Sequence, residues 1–175
     1  MTVKEILPFG DPLLRKKAKP VTDLHAKTQK ILDDMAETLY AQEGRAGLAA
    51  PQVGYLRRLI VMDCGDGLIE LINPELLESA GEQTGTEACL SYPGHYGIVK
   101  RAQQVTVRTL NRQGESIILQ AEGYVARCIQ HEIDHLDGVL FVDHVREKWL
   151  IHEQTNHRVD VLSVIRLTNQ GVSRG

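Results

Sequence analysis

The segment His131-Glu132-Ile133-Asp134-His135 constrains this chain more than any other stretch. Residues four apart share one face of a helix. Two histidines at that spacing can therefore offer both rings to one metal ion if the segment is helical. A glutamate next to the first histidine then stands beside the ion, where it can take a proton from water. The flanks agree with this reading. Gly123 opens the helical spacing and Gly138 closes it, which predicts a helix over residues 123–136. Chance alone supplies roughly 0.02 matches to H-E-x-x-H in a chain of this composition. The motif is thus a signal, to be weighed against two histidines merely hydrogen-bonded on a surface helix.

A metal site needs a third protein ligand, and catalysis needs an open fourth position. The chain has three cysteines, at 64, 89 and 128, too few and too scattered for a disulfide framework. Cys128 lies on the helix with His131 and His135. It is seven residues from His135, ~10.5 Å along the axis, so three side chains strung over two turns converge poorly on one ion. Cys89 is the better candidate. It lies in TEACLSYPG, a turn-rich stretch between strands, where a loop can approach the helix. Cys128 is then a small buried hydrophobe, and Cys64 has no evident partner. Glu87 and Arg101 are candidates for an ion pair that braces the cysteine segment; the alternative is two solvated charges.

The remaining patterns point to an α+β fold. Leu24, Ile31, Leu32, Met35, Leu39 and Tyr40 recur at helical spacing, which predicts an amphipathic helix over residues 22–42, capped by Thr22 or Asp23. Residues 44–54, GRAGLAAPQVG, read as a small-residue loop. Strands are expected at 58–63, 68–73, 75–79, 105–109 and 115–121. Near the end, residues 149–156 read as helical and 159–167 (VDVLSVIRL) as a last strand. Strands gather before the second helix and do not alternate with helices. The expectation is antiparallel sheets packed around a central helix carrying HEIDH. At 175 residues, 42% hydrophobic and 25% charged, the chain suits one domain over 1–175, with 147–175 as an extension. A net charge of −3 and the lack of a basic stripe argue against direct nucleic-acid binding. No apolar run is long enough to span a membrane. The opening MTVKEILPFGDP lacks the marks of a signal or transit peptide, which points to the cytoplasm, or to an organelle after removal of a leader.

Three stretches in this order, GLAAPQ (47–52), EACLS (87–91) and HEIDH (131–135), resemble the three motifs of peptide deformylases. ILPFGDPLLR (6–15) looks like that family's opening, and the resemblance runs over roughly residues 3–145. It implies one divalent metal ion per chain, Fe(II) foremost, with Zn(II), Ni(II) or Co(II) as substitutes, held by Cys89, His131 and His135. It implies hydrolysis of the formyl group from the N-terminal methionine of newly made proteins, with release of formate. Glu132 would be the general base. The Gln52 amide and the Leu90 backbone N–H would steady the oxyanion beside the metal. Ala46, Gly47, Tyr124, Arg127 and Cys128 match the wall of the methionine pocket. The aliphatic stem of Arg127 would pack there while its guanidinium reaches water or a carboxylate. The partners implied are formyl-methionyl nascent chains and, transiently, the ribosome; the protein itself is expected as a monomer or weak dimer.

The sequence departs from the family pattern in three places. The usual Gly-x-Gly before LAA reads Arg45-Ala46-Gly47. The usual Glu-Gly-Cys reads Glu87-Ala88-Cys89, which asks for a negative φ at residue 88. Residues 147–175 do not match the basic terminal helix of many bacterial members. Two other classes compete with the deformylase reading. One is an H-E-x-x-H peptidase taking its third ligand from His144, Glu147, His152 or Glu153. The other is not an enzyme: a structural metal site, or an inactive relative used for binding.

Overall fold

The computed structural model describes residues 2–171. Its elements in chain order are helix α1 (Ala26–Tyr40), strands β1 (Gly47–Ala49), β2 (Leu59–Met62), β3 (Ile69–Ala80), β4 (Gln83–Cys89), β5 (Tyr92–Arg101), β6 (Gln104–Leu110) and β7 (Ser116–Glu122), helix α2 (Gly123–Leu136), strands β8 (Trp149–His152) and β9 (Arg158–Asp160), and helix α3 (Val161–Thr168). One sheet runs β1-β2-β3-β6-β7 and the other β4-β5-β8-β9. Every pairing within them is antiparallel. The architecture is α+β, as the patterning predicts.

Helix α2 carries HEIDH. Ala126, Cys128, Ile129 and Leu136 pack it against Ile60, Met62 and Leu71 of the first sheet. A second cluster joins Ile31, Leu32, Met35 and Leu39 of α1 to Leu48, Leu59, Val61 and Ile72 on the opposite face of that sheet. A third joins Phe9, Leu14, Cys89, Val99, Phe141 and Leu150. The strand alternation at 59–62 sends successive side chains to opposite faces, which is why Ile60 and Val61 belong to different clusters.

Several expectations need correction. Residues 68–73 and 75–79 form one long strand, β3. Bulges at 72–75 and 76–78 bend it, and Asn73 takes a positive φ of 50°. The Asn73 side chain accepts from the Val21 N–H and donates to the Val21 carbonyl, so that conformation fastens the N-terminal segment to the sheet. The small-residue loop holds a short strand, β1, because Gly47–Ala49 finds a register opposite Ile60–Met62. Residues 149–156 are not helical: 149–152 form β8, paired with β5 and β9. Residues 159–167 are not one strand. The β-branched content favours extension, but the Asp160 carboxylate accepts from the Leu162 N–H and caps α3. Val161, Val164 and Thr168 then share its buried side. Helix α1 begins at Ala26, with His25 at its cap position, later than Thr22 or Asp23.

Gly138, predicted as a stop, sits at φ 72° just past α2. A β-carbon there would lie 2.5 Å from the Arg15 carbonyl oxygen. Gly123 opens α2 at φ 62° but faces open space. Replacing Gly138 by Ala should therefore cost about 2–3 kcal/mol and lower Tm by roughly 5–10 °C. Gly123→Ala should cost only about 1 kcal/mol. Thermal melts of the two variants check this, and equal shifts would refute the close approach at Gly138.

Candidate metal centre

Cys89, His131 and His135 come together as a buried cluster whose ligand atoms all lie within 4.8 Å of one another. The two histidines come from consecutive turns of α2, with ring centroids 5.1 Å apart. Cys89 is the last residue of β4, where a bulge between Glu87 and Cys89 turns the chain back into β5. The expected loop is thus the tip of a hairpin. Its Sγ lies 3.4 Å from His135 Nε2. Phe9, packed 5.2 Å from Tyr92 and 6.2 Å from Phe141, brings the N-terminal segment into the core cluster that holds Cys89.

Glu87 and Arg101 are not solvated charges. Glu87 accepts two hydrogen bonds from Arg101, at 2.6 and 3.0 Å, one from Arg127 at 2.7 Å and one from His131 Nδ1 at 2.7 Å. All four residues are buried. Burial alone would raise the Glu87 carboxyl pKa, but the bonds from His131 and Arg101 outweigh it and hold it well below the carboxylate range. The bond from Nδ1 sets the His131 tautomer and turns Nε2 toward Cys89. Arg101 also reaches Asp134 at 2.6 Å, and Asp134 in turn meets His144 Nε2 at 2.9 Å. The sequence reading missed Asp134 as a brace. The D of HEIDH, three residues on from His131 and so its neighbour on the helix surface, was its only signal.

Glu132 is buried, and burial pushes its carboxyl up to about 7. Its Oε2 and the Nδ1 of His135 are buried without a hydrogen-bond partner among the described residues. Burial and the neighbouring His131 hold His135 well below the usual histidine range, so it is neutral. A soft thiolate and two imidazoles suit a divalent first-row ion. Orphaned polar atoms beside them persist where an ion or water completes them. The donor set therefore fits a catalytic metal. Gln52 Nε2 lies 3.6 Å from Cys89 Sγ and 3.2 Å from Ser91 Oγ, while its Oε1 accepts from the Ala49 N–H. That last bond orients the amide with its donors toward the cysteine.

These groups open onto a cavity of about 1000 Å³. Gln52, Glu87, Cys89, Leu90, His131 and Glu132 line it, as do all five residues matched to the methionine pocket: Ala46, Gly47, Tyr124, Arg127 and Cys128. Tyr124 is exposed, at the mouth. Arg127 turns its guanidinium to Glu87. Gly47 has a defined steric role: a β-carbon there would lie 2.7 Å from Glu132 Oε1 and 3.0 Å from Cys128 Sγ. Cys64, assigned no partner from sequence, packs beside Cys128, whose thiol bond lowers the Cys64 pKa. Of the departures, Arg45 is tied to the Thr38 carbonyl. Ala88 has no positive φ, so its methyl is free of strain there. His144, His152, Glu147 and Glu153 are outside the ligand cluster.

Removing the Glu87 carboxylate would leave two arginines and a ligand histidine buried without their acceptor. Glu87→Ala should weaken metal binding by about 10–100-fold and destabilise the fold by about 3–5 kcal/mol. Metal titration and urea unfolding read these effects. Glu82→Ala, which removes only an exposed pair with Lys100, is the control; equal metal affinity in both variants would sink the bracing role.

A model of the polypeptide deformylase family matches residues 3–149. A peptide deformylase of Halothermothrix orenii is 55% identical over 147 residues, covering 83% of this chain and 95% of the relative. Peptide deformylase 1 of Bacillus subtilis is 50% identical over 147 residues, covering 83% of this chain and 91% of the relative. The crystal structure of the Thermotoga maritima peptide deformylase superposes with a TM-score of 0.81 at 43% identity, over 84% of this chain and all of that one. With matches of this extent and a Cys/His/His cluster of fitting donors, the chain belongs to the polypeptide deformylase family.

Proposed function

We propose that the chain hydrolyses the N-formyl group from the N-terminal methionine of new polypeptides, with one divalent metal ion held by Cys89, His131 and His135. The observation that carries this reading is the buried convergence of those three ligands beside the unpartnered Glu132 Oε2. An ion bound there supplies Lewis-acid activation of water and of the formyl carbonyl. Fe(II) is proposed as the native ion, with Zn(II), Ni(II) or Co(II) able to replace it.

The remaining steps belong to side chains of this protein. Glu132 Oε2 takes the proton of the attacking water and returns it to the methionine nitrogen as the C–N bond breaks. A carboxyl raised toward neutrality by burial suits that exchange, and a cation beside it keeps the ionised form populated. The Gln52 amide, fixed through the Ala49 N–H, donates to the oxygen that gains charge, and the Leu90 backbone N–H is assigned the same task. Gly47 leaves room beside Glu132 for the substrate backbone, which is proposed to lie along β1 as an added strand. The methionine side chain would enter the wall formed by Ala46, Gly47, Tyr124, Arg127 and Cys128. A monomer or weak dimer that meets nascent chains transiently at the ribosome, in the cytoplasm or in an organelle after leader removal, completes the proposal.

Formate release from formyl-Met-Ala-Ser, with none from the acetyl analogue, tests the activity. Protein purified without oxygen should carry about one metal ion per chain. Activity that declines in air is expected for Fe(II), because an Fe(II)–thiolate centre is oxidisable; stability in peroxide would point to zinc or nickel.

Two substitutions separate the roles. Glu132→Ala should retain the metal and lose at least about 100-fold in kcat, whereas loss of the metal would make Glu132 structural. Cys89→Ser should abolish activity along with tight metal binding. Full activity in that variant would favour a peptidase-like site with another third ligand.

A further inference from the structure

We infer that Glu153, contributed from beyond the stretch matched to the family, sets a preference for substrates with a basic residue soon after the formylmethionine. The inference rests on the deformylase reading above. Strand β8 extends the sheet that carries Cys89, with His152 opposite His95. Just past its end, the Glu153 N–H donates to the Gly94 carbonyl at 2.8 Å. Gly94 has φ 79°, and a β-carbon there would come within 3.3 Å of His152 Nε2, so the two turns fit closely. This fastening sets Glu153 on the wall of the catalytic cavity, in company with Pro93, Gly94 and Tyr96. The family match ends four residues earlier, at 149.

The charges lining the cavity single Glu153 out. Glu87 is neutralised by Arg101 and Arg127. Glu132 is buried at the reacting end. Glu43 and Arg45, of opposite sign, lie two residues apart on another segment of the wall, and Arg45 is tied to the Thr38 carbonyl. Glu153 is exposed, and among the described residues its carboxylate takes part in no ion pair. A peptide whose formyl end lies at Glu132 has to leave through the mouth. Its side chains after methionine then pass a lone carboxylate, which attracts Lys or Arg and repels Asp or Glu. The site is wet, so the effect is modest and salt-sensitive. His95 and His152, whose rings are 4.9 Å apart, lie beside Glu153, so every protein and substrate is compared at one fixed pH.

The experiment compares kcat/KM for formyl-Met-Lys and formyl-Met-Glu peptides, and for a second pair with the charge one residue further on. Wild-type holoenzyme at low salt should favour Lys by about two- to five-fold at one of these positions, and the ratio should fall toward one in about 0.5 M salt. Glu153→Gln should remove most of the preference and Glu153→Lys should invert it. Because the comparison is between two substrates of one enzyme, a general loss of activity does not imitate it. A wild-type ratio near one, or the same ratio in all three proteins, overturns the inference while the deformylase reading stands. No formate from any formyl-Met peptide, including formyl-Met-Ala-Ser, overturns both.

Discussion

The buried carboxylate of Glu87 ties the rest of this structure together. It stands two residues before Cys89 on β4 and accepts from a guanidinium on β5, a guanidinium on α2 and a ligand imidazole on α2. A hairpin and a helix far apart in sequence are thereby joined at the point where their ligands must meet. Desolvating so many charges is costly, and such clusters contribute less to stability than to geometry. Here the geometry has a use. The bond to His131 Nδ1 fixes which ring nitrogen faces the cysteine. The Arg101–Asp134–His144 continuation extends the same bracing to Asp134, about one turn along α2 from His131.

The N-terminal segment does a second part of the positioning. The Leu7 N–H donates to the Gln52 carbonyl and the Phe9 N–H to the Ser91 carbonyl, both at 2.8 Å. These bonds connect the segment that carries Gln52 to the hairpin carrying Cys89. The Ala18 N–H does the same for the end of α2 through the Leu136 carbonyl. Arg15 binds Asp143 through both terminal nitrogens and also reaches the Gly138 carbonyl and the Thr168 hydroxyl. One extended stretch near the start of the chain thus fastens the catalytic segments and the C-terminal helix. Its sequence shows prolines and apolar residues, but nothing in it names these carbonyls as partners.

Crowding at the reacting end explains the small residues. With Glu132 Oε1 and Cys128 Sγ against Gly47, any side chain there would displace the Glu132 carboxylate. Sequence alone reads residues 44–54 as a small-residue loop; the packing identifies the atoms that require a glycine at 47. Cys64 and Cys128 tell a similar story. They are 64 residues apart and share no motif, and only the packing of α2 on the first sheet brings them side by side.

What the sequence determined by itself is local or motif-borne. The helical spacing of HEIDH, the glycines at its ends and the alternation at 105–109 depend on period and backbone freedom, which neighbours along the chain settle. The choice of Cys89 over Cys128 also followed from helix rise alone. The tertiary structure decided what propensity leaves ambiguous or what depends on distant partners. A four-residue run such as Trp149–His152 has too few positions to separate a helical from an extended period; pairing with Tyr96 and His95 made it a strand. VDVLSVIRL reads as β by composition, yet a cap at Asp160 and one buried side made most of it a helix. Glu87 could be read as braced or solvated, because a charge's surroundings are not written beside it. Two guanidiniums and an imidazole N–H converging from two other elements decided that, since a carboxylate leaves water only where such partners replace its solvation.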